Sequence, residues 1–353
     1  MKKHNLIAFT AIVMVAALLF SACGAQVTTT EQPVEKNETS DPASESYVIR
    51  IGLNGSEDHV FVRGVRILEQ KIEEKSGGRI QVEVFPNSIL GAEREMLEQT
   101  MIGSLDVFVG AADGATPAWV PETQIYTMPY LFANVEEARN ASDNFLFDYL
   151  QPKFEEVGLH NFGFYELGFR HFTNNKRAIE KASDMEGLVI RVQESPAWQT
   201  LMSKLGSSAH PMPINELYSA LQQGVIDGQE NPLSTIVAQK FYEVQKYLVL
   251  DGHTYCAGAI LMNLDFFNNM PEADKALFQE CVDESIAEQR TIVSENDAIY
   301  LQACKDNGMT VVENPDLDSF KSATAGFGEN EAIKALFDTS LITQVQEFLA
   351  NNG

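Results

Sequence analysis

Cysteine is scarce in the 353-residue chain, and the sequence contains no recognisable catalytic motif. It has no C-x-x-C pair, no G-x-S-x-G turn, no H-E-x-x-H helix and no glycine-rich phosphate loop between a strand and a helix. We therefore expect a protein that is not an enzyme and that has no cofactor and no metal site. The cysteines beyond the N-terminal region are odd in number and unevenly spaced, which predicts mostly buried free thiols: Cys256, Cys281 and Cys304.

Positive charge is also scarce. The chain has 25 Lys and Arg against 50 Asp and Glu, a net charge of −25. Such a balance excludes binding to nucleic acid or to anionic lipid through a basic patch. It also repels small anions at long range, so an anion site in this protein needs arginines or backbone donors concentrated at one place.

The N-terminus is typical of an exported protein. Lys2 and Lys3 precede an apolar run over 6–20, which is too short to predict a membrane-spanning helix with confidence, and Ser21-Ala22 forms a small-residue cleavage site. Residues 1–22 are therefore predicted to be a signal peptide. Its removal leaves 23 basic and 50 acidic residues, a net charge of −27.

The run LLFSAC resembles the bacterial lipobox, in which the cysteine becomes the acylated first residue of the mature chain. Phe20 departs from the usual Leu of that motif, and the alternative is an ordinary secreted protein with a chance cysteine at position 23. The resemblance predicts that acylated Cys23 attaches the protein to membrane lipid. Residues 24–46 are rich in Thr, Ser, Glu and Pro and are predicted to form a disordered tether after Cys23. We expect the rest to lie outside the cytoplasm, in the periplasm or on the outer face of the cytoplasmic membrane.

From Tyr47 onward, strand and helix patterns alternate. This alternation predicts an α/β protein of two lobes with a ligand cleft between them, although a single large α/β enzyme domain satisfies the pattern nearly as well. The predicted strands cover 47–54, 80–85, 105–110, 159–168, a segment within 183–192, and a stretch near 255–263. The predicted helices cover 60–75, 92–103, 134–158, 195–206, 215–224 and 271–306.

Two arginines stand out in this acidic chain. Arg170 comes straight after the strand predicted to end at 168, and Arg191 lies within the apolar run VIRV. A buried lone charge costs several kcal/mol, so each guanidinium needs a carboxylate. That carboxylate belongs either to an internal Asp or Glu or to a ligand.

Longer stretches resemble a known family. The run 165–234, which contains E-L-Y-x-A-L and D-G-Q-E-N-P, resembles the solute-binding subunits of tripartite ATP-independent periplasmic (TRAP) transporters of the dicarboxylate-binding (DctP) type. Residues 77–107 and 239–255 resemble the same family. The resemblance implies a periplasmic-binding-protein-like (type II-like) fold. In this implied fold, two α/β lobes would be joined by hinge strands and a long helix spanning both lobes. The implied lobes are 47–167 plus about 257–296, and 168–256 plus about 297–353.

The resemblance also implies site residues. Arg191 corresponds to the arginine that makes a two-pronged salt bridge with the ligand carboxylate, Arg170 to a second ligand contact, and Asn231 to an asparagine that hydrogen-bonds the same carboxylate region. The planar fork of a guanidinium suits this role because its parallel donors match the two oxygens of a carboxylate. In VIDGQENPLS, residues 225–234, Gly228 and Pro232 are predicted to shape a turn that follows a helix end.

Weaker candidates are Glu93, His59 and Tyr218. Glu93 resembles a position that accepts sugar hydroxyls in uronate-binding members, and its alternative is an exposed carboxylate at a helix N-terminus. His59 falls where members often contact the ligand, or it simply begins a helix. Tyr218 is a candidate wall of the cleft or a core aromatic. Asp227 and Glu230 are expected to hold the turn by capping or pairing.

The implied function is capture of an organic acid, a sugar acid such as a uronate or a dicarboxylate, and its delivery to ion-gradient-driven TRAP permease subunits. Ala111 and Ala112 stand where the sialic acid subgroup has a Glu, which disfavours sialic acid. The alternatives are an exported enzyme that acts on an acidic sugar and a ligand-sensing partner of a membrane receptor.

Overall fold

The structure is a computed structural model and describes residues 46–352. The predicted signal peptide, the predicted lipidation site Cys23 and the tether up to residue 45 lie outside the described residues. Within 46–352, none of the helices combines the length and apolar character needed to cross a membrane.

Strands and helices alternate along the described residues as the sequence predicts. The strands are β1 (Tyr47–Leu53), β2 (Ile80–Phe85), β3 (Val107–Ala111), β4 (Leu159–Asn174), β5 (Val189–Val192), β6 (Ser208–Pro211), β7 (Gly228–Pro232), β8 (Tyr247–Val249), β9 (Tyr255–Asn263) and β10 (Thr310–Val312). The α-helices are α1 (Val60–Lys75), α2 (Glu93–Met101), α3 (Val135–Ala141), α4 (Phe147–Glu156), α5 (Pro196–Lys204), α6 (Ile214–Gln223), α7 (Leu233–Ala238), α8 (Leu264–Asn269), α9 (Glu272–Asp306), α10 (Leu317–Thr324), α11 (Glu331–Lys334) and α12 (Ser340–Asn352).

The strands form two α/β lobes that meet at β4. Strand order in the first part is β2-β1-β3-β9-β4, and it continues as β4-β7-β5-β6 in the second. In the first part β1 is parallel to both of its neighbours, β2 and β3, and in the second part β5 is parallel to β6 and β7. Strands β9 and β4 run antiparallel to their neighbours. Residues 159–169 of β4 pair with β9, and residues 170–174 pair with β7. The α/β class and the two-lobed plan are confirmed, while the lobe boundaries stay a prediction.

Strand β4 is longer than predicted. The sequence pattern ends the strand at Gly168, but the structure continues it to Asn174. Gly168 has φ +105° and lies at a register shift against β9, so it forms a bulge where a glycine tolerates the positive φ. The prediction that Arg170 follows the strand is therefore wrong, because a bulge bends a strand without ending it. Arg170 lies inside the strand at the junction of the two lobes.

The prediction of a turn in VIDGQENPLS is also wrong. Gly228–Pro232 is a fully buried strand between β4 and β5. A Cβ at Gly228 would lie 2.1 Å from the carbonyl oxygen of Thr173, so the close approach of β4 requires glycine here. Asp227, just before the strand, accepts a hydrogen bond from the backbone N of Val189 at 2.9 Å. Glu230 does not hold a turn, because it is part of the strand.

Helix α9 packs on both lobes, as the resemblance implies. Near its start, Glu280 and Glu284 pair with Lys75 of α1 at 2.7 Å each. Near its end, Cys304 lies in the same apolar core as Leu217 of α6. Exposed ion pairs contribute little, so the buried apolar residues supply most of the stability of this packing. The prediction of buried free thiols is confirmed for Cys256, Cys281 and Cys304.

Candidate ligand-binding site

Polar side chains from both lobes meet where several parallel strands end. Asn54 follows β1, Ala111 ends β3, and Gln193 follows β5. Ligands of open α/β sheets bind outside the carboxyl ends of such strands. Two adjoining cavities of about 20 and 10 Å³ lie there, and both are lined by Arg191, Glu93 and Gln193. A single water fills a space of roughly this size, so a larger ligand requires the lobes to separate.

Among residues 46–352, Arg191 is buried without a carboxylate partner. Its side chain is 3% exposed, and Nε and Nη2 donate to the Met212 carbonyl oxygen at 3.0 and 2.7 Å. Its Nη1 atom is buried and has no hydrogen-bond partner among the described residues. Burial lowers the pKa of Arg191 to about 10, against the opposing effect of Glu230, so the group stays charged at neutral pH. Arg191 therefore presents a positive charge and a free donor to the cavity that it lines.

Arg170 is paired internally. It is 1% exposed, its Nε and Nη2 donate to the two carboxylate oxygens of Glu230, and Nη2 lies 2.9 Å from Oε1. Its Cζ atom lies 5.3 Å from the ring centre of Trp198. Burial raises the pKa of Glu230, but the Arg170 charge and hydrogen bonds outweigh it and the pKa is lowered overall. The internal salt bridge, one of the two alternatives for this arginine, is thus formed.

A second cation lies close to Glu230. His253 is 1% exposed, and its Nε2 lies 3.5 Å from Glu230 Oε2, while its Nδ1 lies 2.8 Å from Asp251 Oδ2. Burial disfavours the charged imidazole, but the two carboxylates outweigh burial and raise the pKa of His253 to about 9. The charges of Arg170, Glu230, His253 and Asp251 therefore balance within the protein.

Asn231 lies beside this pair at the cavity wall. Its Oδ1 accepts from Arg170 Nη2 at 3.1 Å, and its Nδ2 donates to Gln229 Oε1 at 2.5 Å. Asn231, Arg170 and Arg191 all line the larger cavity. The structure therefore brings together the three residues that the family resemblance singles out.

Glu93 begins α2 and faces the same space. Its Oε1 accepts from Asn54 Nδ2 at 2.6 Å. Burial raises the pKa of Glu93 to about 7, although the charge of Arg191 opposes this. Glu93 is therefore a carboxyl group that is only partly ionised at neutral pH, able to accept or to donate a hydrogen bond.

Glu93→Gln is expected to change how stability depends on pH. A carboxyl whose pKa is raised by folding stabilises the protein below its unfolded pKa, and this stability is lost as pH rises to the folded pKa of about 7. A Gln keeps the acceptor for Asn54 and does not ionise. The variant should gain up to roughly 3 kcal/mol over wild type between about pH 4.5 and 7. Urea unfolding at a series of pH values measures this, with the exposed Glu98→Gln of the same helix as control. A stability difference that does not vary with pH would contradict the role of Glu93.

His59 lines the larger cavity and connects the two lobes. Its Nδ1 accepts from the Phe61 backbone N at 3.2 Å, and its Nε2 lies 3.3 Å from Thr235 Oγ1 of α7. Burial lowers the pKa of His59 to about 4, so the ring is neutral at pH 7. His59 is the N-cap of α1 and also lines this cavity, so the helix start is confirmed and the ligand contact stays a prediction.

The structure does not bring Tyr218 to these cavities. Its hydroxyl donates to Glu243 at 2.7 Å, and its ring packs against a core cluster that includes Leu217 and Leu221. Three polar residues of the larger cavity were not predicted: Asn54, Gln193 and Thr235. Gln193 had a signal in the sequence, because it lies only two residues beyond Arg191.

Comparison with known proteins supplies the family context. The chain matches the family described as bacterial extracellular solute-binding protein, family 7 (DctP), over residues 51–331. A solute-binding protein from Verminephrobacter eiseniae is 35% identical over 283 residues, which are 80% of this chain and 84% of that relative.

Solved structures of similar proteins contain organic acids. A TRAP periplasmic solute binding protein from Polaromonas sp. JS666 bound to D-erythronate is 35% identical, with a TM-score of 0.78 over 82% of this chain and 98% of that one. The sugar acid binding protein DctPAm from Advenella mimigardefordensis, in complex with galactonate, is 27% identical, with a TM-score of 0.84 over 88% of this chain and 99% of that one.

Proposed function

Because the chain belongs to family 7 of the bacterial extracellular solute-binding proteins, we propose that it captures a small organic acid between its lobes and delivers it to a TRAP permease. One observation indicates that the ligand is an acid. The buried guanidinium of Arg191 is positively charged, and its Nη1 atom has no hydrogen-bond partner among residues 46–352. A ligand carboxylate satisfies both the charge and the donor, and a charge-assisted hydrogen bond of this kind is strong.

The residues near Arg191 contact different parts of the ligand. Asn231 and Arg170 line the cavity beside Arg191 and present polar atoms to the same carboxylate. Glu93, which lines the same cavity, binds hydroxyl groups of the acid. His59 positions α1 against Thr235 and contacts the ligand from the first lobe. Because these residues come from both lobes, ligand binding favours the closed arrangement, in which all the contacts coexist.

Sugar acids suit this site better than simple apolar acids, because Glu93, Asn54 and Gln193 offer polar partners beyond the carboxylate. The erythronate and galactonate bound by the similar proteins are acids of this kind. A uronate or a dicarboxylate is a further candidate in the same class. No covalent change of the ligand is proposed.

We also propose that the N-terminus attaches the protein to the membrane. Acylation of Cys23 would attach the chain to the outer face of the membrane, with 24–46 as a tether that lets the two lobes reach the permease. Recovery of a Cys23→Ser variant in the membrane fraction, as for wild type, would contradict this anchor.

Recovery of the ligand tests binding against catalysis. The protein is saturated with D-erythronate or D-galacturonate, freed of excess ligand and denatured, and the released compound is identified by mass spectrometry. A binding protein releases the same acid in about one equivalent. Conversion of the acid to a product would favour an exported enzyme, and absence of any retained acid from a broad panel would contradict the proposal.

A further inference from the structure

We propose that Gln193 Oε1 accepts a hydrogen bond from a hydroxyl group of the bound acid, so that the site selects hydroxy carboxylates over carboxylates without a hydroxyl. This inference rests on the proposed function, since it requires the carboxylate to lie at Arg191. It goes further by naming the residue that discriminates among acids.

Two buried polar atoms that have no hydrogen-bond partner among residues 46–352 lie at the end of β5. They are the donor Nη1 of Arg191, which is in the strand, and the acceptor Oε1 of Gln193, which directly follows it. Both line both cavities, and Gln193 is only 6% exposed. The site therefore offers a donor with positive charge and a neutral acceptor to one ligand.

The chemistry of these two atoms restricts the ligand. A carboxylate accepts from Arg191 Nη1 but has no hydrogen to donate to Gln193 Oε1. A methylene, a ketone or a second ionised carboxylate also leaves that acceptor unpaired, and a buried unpaired acceptor carries a desolvation penalty. A hydroxyl group donates. Sites built around such a bond reject analogues that lack the group far more strongly than they reject a change in size.

A set of four-carbon acids tests the proposal. Dissociation constants of butanoate, 2-, 3- and 4-hydroxybutanoate, succinate and D-erythronate are measured by calorimetry for wild type and for Gln193→Leu. Wild type should bind at least one hydroxybutanoate roughly tenfold to a hundredfold more tightly than butanoate, and the isomer preferred locates the hydroxyl. In Gln193→Leu this ratio should fall at least severalfold for the isomer that wild type prefers, while Glu93 still offers a polar partner to a hydroxyl group. The exposed Gln222→Leu of α6 is the matched control and should keep the wild-type ratio.

The ratio separates ligand recognition from a structural role. If Gln193 were needed only for folding, its replacement would lower the unfolding temperature and weaken all acids together, leaving the ratio unchanged, and that result would overturn the proposal. A wild-type ratio near one for every isomer, or no binding of any hydroxy acid in the set, would overturn it as well. A wild-type ratio near one leaves the proposed function intact, because binding of butanoate would still require Arg191. Binding of the acids that survives in Arg191→Met would instead refute the proposed function.

Discussion

Arg191→Met should weaken binding of the organic acid tenfold to several thousandfold, with little change in the stability of the unliganded protein. Removing one side of a buried charge pair costs about 2–5 kcal/mol, and about 1.4 kcal/mol corresponds to each tenfold loss of affinity. Without ligand, however, Arg191 has no carboxylate partner in the part of the chain that the structure describes, and burial lowers its pKa. The variant removes this unfavourable buried charge, which offsets the loss of its bonds to the Met212 carbonyl.

Calorimetric titration with D-erythronate and D-galacturonate, together with urea unfolding, measures both effects. Arg66→Met is the matched control, since Arg66 is more exposed and pairs with Glu57 and Glu69 on the surface of the first lobe. The control should bind like wild type. An Arg191→Met variant with unchanged affinity would remove Arg191 from the site.

Arg170→Met, in contrast to Arg191→Met, is expected to destabilise the unliganded protein, lowering the free energy of unfolding by about 3–5 kcal/mol. The substitution leaves the Glu230 carboxylate, which is 0% exposed, without its guanidinium partner. Breaking a buried ion pair on one side carries this cost because an uncompensated charge stays buried. The contact of the guanidinium with Trp198 is lost as well.

The double variant Arg170→Met, Glu230→Gln provides the control, because it removes both charges. It should recover a large part of the stability lost by the single variant, although His253 then loses one of its two carboxylates. Urea unfolding at pH 7 compares the three proteins. A single variant within about 1 kcal/mol of wild type would show that the Arg170 pair does not stabilise the fold.

The two arginines illustrate what sequence reasoning can and cannot separate. Both are buried and both need a carboxylate, which composition and strand pattern already indicate. Only the three-dimensional arrangement shows that Arg170 finds its carboxylate in Glu230, sixty residues away, whereas Arg191 finds none among residues 46–352. The sequence could not reveal this difference, because pairing depends on β4 and β7 lying side by side.

The fold was predictable wherever hydrophobic periodicity was strong. Helices α1 and α9 agree with the sequence pattern to within one residue, since their apolar positions repeat with helical spacing. Strand β7 was not recognised, because its residues Gln229, Glu230 and Asn231 are polar although buried. A buried strand made of polar residues shows neither alternation nor an apolar run, which are the two patterns that predict a strand.

The candidate site was predictable in part. The family resemblance indicated Arg191, Asn231 and Glu93, which line one cavity, and also Tyr218, which does not. His253 and Asp251 gave no signal, because a histidine acquires its partners only from tertiary packing. Gln193 could have been identified from its position two residues after Arg191. Its Oε1 atom, which has no hydrogen-bond partner among residues 46–352, is the basis for the proposed recognition of a hydroxyl group.

Recognition of a carboxylate by Arg191 is best tested by a crystal structure of the protein with a bound acid, D-erythronate first. We expect a carboxylate oxygen at about 2.7–2.9 Å from Arg191 Nη1, with Arg170 still paired to Glu230. An acid bound elsewhere, or bound in the cleft with its carboxylate away from an unpartnered Arg191, would contradict it.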